Sequence, residues 1–417
     1  MPPCRATRSR ASATGTWRRS IADACGRGAA VHLDCSAVSS PSRWPLVAVG
    51  LSAAMCACSS AAPTTPSAAL ATKAAVSGVP PVTPATLPLS VAVGQMLVAS
   101  VSGPVVTDGL RHLILDDKVG TVLLFRSNFG DAAGLRSWTT QLQALGRIAG
   151  LPAPLLVTTD EEGGSVDQVA NGLHLLPAAQ ALGSEGSAGV RRDVAAMAGG
   201  LRADGVGLDL APVADLRTNP ADAVIGSRSF GSDASVVGPL VAAYVNGLHD
   251  GGVGATLKHF PGLGGAAGDP HRQVVTDLVT LAQWSATTAR SFAAGIGAGA
   301  DAVMTTSLRV PNLDPSNRPA LLSPVIVRLL RDTLRFSGVV LTDSLSMTAV
   351  GESMPRATVD AAAAGNDLLL MSSGSTTLED QADQMLLAAV RSGAIPEGQV
   401  QASAQRVLAL HRRYVLT

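Results

Sequence analysis

The chain has 417 residues with 31 basic and 31 acidic side chains, a length that allows one large domain or two ordinary ones. The charge is unevenly distributed: residues 1–58 contain seven arginines and two aspartates, a net charge of +5, which leaves −5 for residues 59–417. A body with that charge lacks the basic surface of nucleic-acid-binding proteins. All five cysteines lie within residues 1–58, which excludes disulfides, cysteine nucleophiles and cysteine metal ligands from the remainder.

Residues 1–57 are predicted to be a leader that does not belong to the folded domain. Residues 44–55 form an apolar run that is too short to span a bilayer, which needs about 20 residues. Such a run is typical of the hydrophobic segment of a signal peptide. Residues 1–43 have no apolar periodicity, and a start codon assigned too far upstream explains them most simply.

A lipid anchor and a tether are predicted to follow this leader. In bacterial lipoprotein signals a small residue precedes the lipidated cysteine, and Ala57 precedes Cys58, so we expect Cys58 to be lipidated, with Cys56 as the alternative. Residues 58–88 are rich in Pro, Ala, Thr and Ser, a composition typical of linkers. We therefore expect a membrane-anchored protein that faces the cell envelope outside the cytoplasm.

From residue 89 onward, short apolar runs alternate with Ala-rich amphipathic stretches at the spacing of βα units. The eight predicted strands are residues 96–101, 119–125, 155–159, 207–211, 255–258, 302–306, 338–342 and 367–371. The clearest predicted helices are residues 132–148, 189–203, 235–250, 281–296, 323–334 and 378–392. Apolar strands flanked by helices indicate a parallel sheet, and eight units favour a single (β/α)₈ barrel over residues 89–417. An open doubly wound sheet is the alternative, but its glycine-rich fingerprint is absent.

Polar residues follow several predicted strands, which is where a barrel of this kind places its active site. Asp160 follows the third strand, Asp215 the fourth, Lys258 and His259 end the fifth, and Asp343 follows the seventh. Taken singly, each aspartate is explained as the cap of the next helix. Several of them on one rim, together with one of the three lysines of this Arg-rich chain, favour an active site.

This set of residues suits retaining glycoside hydrolysis. Asp343 would attack the anomeric carbon, and His271 would act as the general acid and base, with Asp269 two residues away to fix the imidazole tautomer. The glycine-rich stretch 262–268 predicts a loop that moves over the bound sugar. A surface turn is the alternative reading of residues 269–271, because Asp-Pro is itself a turn signal.

The motifs together resemble the single-domain, lipoprotein-type bacterial β-N-acetylglucosaminidases of glycoside hydrolase family 3, from about Leu89 to the end of the chain. In chain order they are DEEGG (160–164), LAPVAD (210–215), IGSRSFGSD (225–233), KHFPGLG (258–264) with DPH (269–271), LTDSLSM (341–347) and AAGNDLLL (363–370). The resemblance implies that Asp343 is the nucleophile and that His271, supported by Asp269, is the acid and base.

The same resemblance implies sugar contacts from Asp160, Arg228, Lys258 and His259, and no cofactor. It implies a carbohydrate substrate with a terminal β-linked N-acetylglucosamine, as in muropeptides and other peptidoglycan fragments. The few aromatic residues favour a pocket for one terminal sugar over a long stacking groove. We expect a monomer.

The chain departs from the family pattern at five positions. Ser165 and Gln168 stand where the family has arginines, Leu263 and Ser307 where it has histidines, and Pro270 where it has a serine. Losing one charged hydrogen bond to a sugar weakens binding by about 1.5–3 kcal/mol. Two alternatives therefore stay open: a β-glycosidase of altered sugar specificity, and a sugar-binding lipoprotein of low or no activity.

A metal-dependent barrel hydrolase is a third possibility. His259 and His271 are the only rim histidines, and no His-x-His pair follows the first strand, so the sequence predicts no catalytic metal.

Overall fold

The computed structural model describes residues 86–169, 174–222 and 224–415. The chain divides into two units, Met1–Gly78 and Val79–Thr417, and every described residue belongs to the second. The predicted leader, Cys56, Cys58 and the tether up to residue 85 lie outside the described residues. Within the described part, no helix is both long enough and apolar enough to cross a membrane.

Eight parallel strands form a barrel, which confirms the predicted (β/α)₈ fold. They are β1 Leu97–Ser100, β2 Thr121–Leu123, β3 Leu156–Thr159, β4 Leu208–Asp209, β5 Gly254–Phe260, β6 Ala302–Thr305, β7 Val339–Thr342 and β8 Leu369–Leu370. Each strand pairs with the next, β8 pairs with β1 through Leu97 and Leu369, and a bridge between Leu341 and Leu368 joins β7 to the β8 segment. Strands in such a barrel are covered on both faces, which explains their apolar sequences.

Helices surround the strands. Among the described residues they are α1 Leu89–Gln95, α2 Asp108–Leu115, α3 Arg126–Phe129, α4 Ala132–Ala149, α5 Ala179–Leu182, α6 Gly186–Ala203, α7 Ala234–Asp250, α8 Leu281–Ala286, α9 Thr288–Gly297, α10 Pro324–Arg328, α11 Met354–Ala364, α12 Thr376–Arg391 and α13 Glu397–Tyr414. The helix predicted over residues 281–296 is interrupted at Thr287, whose φ of −123° and ψ of −99° are not helical. The helix predicted over residues 323–334 ends in a π-helical turn, Leu329–Thr333.

Side chains alternate between two apolar clusters, one inside the barrel and one beneath the helices. In β1, Val98 belongs to the inner cluster, whereas Leu97 and Ala99 pack in the outer one. Helix α13 contributes Val407, Leu410 and Tyr414 to the inner cluster. It therefore covers the end of the barrel at which the strands begin, and the opposite end carries the cavity described next.

Candidate active site

A cavity of about 500 Å³ lies at the carboxyl ends of the strands. Six of the seven residues predicted for catalysis or sugar binding line it: Asp160, Arg228, Lys258, His259, His271 and Asp343. The seventh, Asp269, is not among the lining residues but is hydrogen-bonded to His271. The fold thus brings together side chains that are separated by up to 183 positions (160 to 343) in the sequence.

A buried ion-pair network forms one wall of this cavity. Lys258, in β5, places Nζ 2.6 Å from Asp160 Oδ1 and 2.6 Å from Glu162 Oε1. Arg228 donates two parallel hydrogen bonds to Glu162, from Nε to Oε2 and from Nη2 to Oε1, both at 2.7 Å. This two-point geometry fixes the guanidinium plane. Glu162 therefore holds both cations in place.

The charges of this network compensate one another. Burial alone would raise the pKa of Glu162, but the charge of Lys258 and the hydrogen bond and charge of Arg228 outweigh it and lower that pKa to about 2. Burial would likewise lower the pKa of Lys258, but Asp160 and Glu162 raise it above its ordinary value. Glu162, Lys258 and Arg228 are therefore charged at neutral pH, and the cavity wall is pre-organised without a substrate.

Glu162 lines the cavity and pairs with two predicted residues, but the sequence reasoning did not single it out among the sugar contacts. Its motif neighbour Asp160 was predicted, but within the predicted set of sugar contacts it was the one anion beside two cations, Lys258 and Arg228. Because buried charges require partners, the imbalance itself was a signal for a second carboxylate.

Asp215 positions the segment that follows β5 rather than lining the cavity. Its Oδ2 accepts hydrogen bonds from His259 Nδ1 at 2.7 Å and from His259 N at 3.1 Å, and its Oδ1 accepts one from Leu263 N at 2.7 Å. The carboxylate requires a proton on Nδ1, so Nε2 of His259 is the acceptor nitrogen of the neutral ring. Asp215 thereby orients the imidazole that faces the cavity.

The glycine-rich stretch after β5 packs closely against the β4 loop. A Cβ on Gly264 would lie 2.4 Å from the carbonyl oxygen of Leu216, so no larger residue fits there without a shift of the backbone. The carbonyl oxygen of Gly264 also accepts hydrogen bonds from Thr218 N and Asn219 N, both at 3.1 Å. At this position glycine is required because the two backbones lie too close together to leave room for a side chain.

Asp343 leaves β7 in a fixed position. Its backbone N–H donates to the carbonyl oxygen of Thr305 in β6 at 2.7 Å, and its Oδ1 accepts from Ser344 N at 2.7 Å. No described residue donates a hydrogen bond to Oδ2. One carboxylate oxygen is therefore held by the backbone, and the other is free to react.

His271 and Asp269 form a dyad on the loop after β5. Asp269 Oδ1 lies 2.7 Å from His271 Nδ1 and also accepts from His271 N at 3.0 Å. Burial acts to raise the pKa of Asp269, but the hydrogen bonds and charge of His271 lower it overall. The carbonyl oxygen of Pro270 accepts from Ala349 N at 3.1 Å, which ties the dyad to the segment that follows Asp343.

Three of the positions that depart from the family pattern face this cavity. Gln168, Leu263 and Pro270 belong to its lining, and Leu263 is buried. Gln168 Oε1 accepts a hydrogen bond from Arg126 N at 2.9 Å, and Gln168 N donates to Glu161 Oε2 at 2.8 Å. Ser307 is fully buried beside Met347, with Oγ 3.7 Å from Sδ, and does not line the cavity.

A barrel with strand-end carboxylates, a buried lysine and a histidine dyad defines a glycoside hydrolase type of site. Residues 89–410 match the model of the Glycosyl hydrolase family 3 N terminal domain. The chain belongs to this family and is a glycosidase.

Known proteins resemble the chain over most of this region. It is 39% identical over 263 residues to a β-hexosaminidase of Stenotrophomonas maltophilia strain K279a, a match that covers 61% of this chain and 76% of that protein.

Solved structures resemble it as well. A family 3 β-N-acetylglucosaminidase from Paenibacillus sp. FPU-7 superposes with a TM-score of 0.76 at 36% identity, over 78% of this chain and 62% of the other. A β-N-acetylhexosaminidase from Beutenbergia cavernae superposes with a TM-score of 0.71 at 32% identity, over 78% of this chain and 98% of the other.

Proposed function

We propose that the protein is a retaining, exo-acting β-N-acetylhexosaminidase that releases terminal N-acetylglucosamine. The observation that carries the proposal is the single cavity into which Asp343, His271 and the Lys258 network converge. The hexosaminidase names of the similar proteins support the choice of sugar.

In the proposed first step, Asp343 attacks the anomeric carbon while His271 donates a proton to the glycosidic oxygen, so the aglycone leaves as an alcohol and a glycosyl ester forms on Asp343. In the second step, His271 takes a proton from water, which attacks the same carbon and releases the sugar and the free carboxylate. Asp269 stabilises the imidazolium and fixes the ring, because its carboxylate accepts from Nδ1. The two inversions give net retention.

The remaining predicted residues are proposed to bind the sugar. Asp160, Arg228, Lys258 and His259 offer charged and polar groups to hydroxyls, and Glu162 fixes the two cations without needing to touch the substrate. Among the described residues that line the cavity, Phe125 is the only aromatic side chain apart from the histidines. A cavity with so little stacking surface suits one terminal sugar.

The substrate and location are proposed from the sequence. Muropeptides and related peptidoglycan fragments carry terminal β-linked N-acetylglucosamine, and a lipid on Cys58 would hold the enzyme at the membrane in the cell envelope. Replacing Cys58 with serine in the full chain is expected to move the protein from the membrane fraction to the soluble fraction. Retention in the membrane fraction by the variant that also lacks Cys56 would rule out this anchor.

The test of the activity is product analysis on a panel of aryl β-glycosides and muropeptides, with and without phosphate. We expect release of N-acetylglucosamine as the β-anomer, and a fall in kcat of at least about 10⁴-fold for Asp343→Ala. The matched control is Asp250→Asn, which changes a surface carboxylate paired with Arg191. Wild-type turnover by Asp343→Ala would overturn the assignment.

A sugar-binding protein without turnover is the second candidate. Gln168 and Leu263 favour it, because both line the cavity where the family pattern has charged or polar side chains. Calorimetric binding of muropeptides with no product after long incubation would support this candidate and exclude the first.

A further inference from the structure

A cluster of one histidine and several carboxylates lies between α2 and α12. The atoms His112 Nε2, Asp117 Oδ2 and Asp380 Oδ1 all lie within 4.8 Å of one another. His112 Nε2 is 3.7 Å from each of the two carboxylate oxygens. That distance is too long for a hydrogen bond. It matches the roughly 3–4 Å that separates neighbouring ligand atoms around one cation bound at about 2.0–2.4 Å.

The histidine of this cluster is oriented as a metal ligand would be. Its Nδ1 lies 2.8 Å from Asp116 Oδ2, one turn further along the chain. A carboxylate that accepts from one ring nitrogen places the proton there and leaves the lone pair on the other nitrogen. Nε2 of His112 therefore presents its lone pair towards Asp117 and Asp380.

Two buried carboxylate oxygens, one in this cluster and one on the same face of α12 as Asp380, have no hydrogen-bond partner among the described residues. They are Asp117 Oδ2 and Asp383 Oδ1, and Asp383 is 6% exposed. Asp383 follows Asp380 by three positions on α12, so the two carboxylates project from one face of the helix.

No lysine or arginine of the described chain is in direct contact with this group, although the charge of Arg391 acts on Asp383. No lysine or arginine forms an ion pair with Asp116, Asp117, Asp380 or Asp383 within the described ranges, and His112 is the only basic partner. The amide of Gln384 donates to both oxygens of Asp380, at 2.9 and 3.0 Å, which still leaves lone pairs on a carboxylate.

We propose that His112, Asp117 and Asp380 bind a divalent transition-metal cation of the Zn²⁺ type. One imidazole nitrogen with two carboxylate oxygens suits zinc, whereas Ca²⁺ and Mg²⁺ prefer oxygen ligands throughout. None of the three residues lines the catalytic cavity. Helix α2 follows the first strand and α12 follows the last, so the ion would link the first and the last βα unit of the barrel. By binding to the folded state it would stabilise that state.

The test is titration of the chelator-treated protein with ZnCl₂, followed by calorimetry and by thermal unfolding. We expect one zinc ion per chain and a higher Tm with zinc. In His112→Gln and in Asp380→Asn we expect at least a tenfold loss of affinity and no rise in Tm. His271→Gln is the matched control, because it removes a histidine of the catalytic cavity and should leave zinc binding and the Tm shift intact.

Circular dichroism of each metal-free variant checks the fold, and His112→Gln, whose side chain is half exposed, is the variant least able to disturb it. Three results would overturn the proposal: unchanged zinc affinity in His112→Gln, loss of zinc binding in His271→Gln, or binding of CaCl₂ in preference to ZnCl₂.

Discussion

The residues at the strand ends and the dyad on the loop differ in how exposed their side chains are and in how those side chains are held. The side chains of Lys258 and Glu162 are 2% and 5% exposed and hold one another by direct ion pairs. The side chain of His271 is 61% exposed, and its only side-chain partner among the described residues is Asp269. One part of the cavity wall is buried and held by ion pairs, and the other is exposed to solvent.

The difference fits the two tasks of a retaining glycosidase. Groups that bind the sugar act best when they are fixed before the sugar arrives, because no reorganisation is then needed in the transition state. The acid and base must first protonate a departing alcohol and then deprotonate an incoming water, so it needs access to solvent. Substitutions in the loop dyad should therefore change mainly the reaction rate, and substitutions in the buried network should also change the free energy of unfolding.

The largest expected effect after loss of the nucleophile comes from the loop. His271→Ala should lower kcat/KM for muropeptides about 10²–10⁴-fold, because the aglycone loses its proton donor. With a dinitrophenyl leaving group, which departs without a proton, the first step should be nearly unaffected. Steady-state kinetics on both substrates checks this. An equal loss on both would show that His271 does not act as the acid.

Lys258→Met tests the buried network. It leaves Glu162 buried with only Arg228 to neutralise it, and removing one partner of a buried ion pair costs about 3–5 kcal/mol. Denaturant unfolding should show that loss, and kcat/KM should fall with it. Adding Glu162→Gln should recover part of the unfolding free energy. Strict additivity of the two changes would contradict the coupling.

Acid titration of stability sharpens the same point. The pKa of Glu162 is lowered to about 2 in the folded protein, so its contribution to the free energy of unfolding is present above its unfolded pKa and is lost as the pH falls through the folded value. Between about pH 4.5 and 2, wild type should lose stability more steeply than Glu162→Gln, by up to about 1.4 kcal/mol per pH unit. Parallel curves would show that the carboxylate is not stabilised by its cations.

The smallest expected effect concerns Gln168 in the cavity lining, which stands where the family pattern has an arginine. Gln168→Arg adds a cation to the cavity lining and should lower KM for N-acetylglucosaminides about tenfold, the equivalent of about 1.4 kcal/mol. Ser165→Arg is the matched control, because Ser165 is exposed and does not line the cavity. A similar gain from both variants would indicate a general charge effect.

Much of the fold was predictable because its signals are local. Each of the eight strands lies in or overlaps an apolar run of the sequence, and helix α4 begins at Ala132 as expected. The break at Thr287 was not predictable, because both halves of that stretch have helical composition.

The sequence predicted which residues belong to the site better than it predicted the contacts between them. Asp343 and His271 stand in distinctive motifs, so the sequence named them. That Glu162 bridges Lys258 and Arg228, or that Asp215 orients His259, depends on contacts across the barrel, which a single sequence does not encode in any spacing.

The most direct test of the account is covalent trapping with a fluorinated N-acetylglucosaminide that carries a good leaving group, followed by intact mass measurement and peptide mapping. The proposed mechanism predicts one sugar adduct per chain on Asp343, formed at nearly the same rate in wild type and in His271→Ala, because a good leaving group departs without a proton. An adduct on any other residue, or full turnover of substrate with no trapped intermediate, would contradict it.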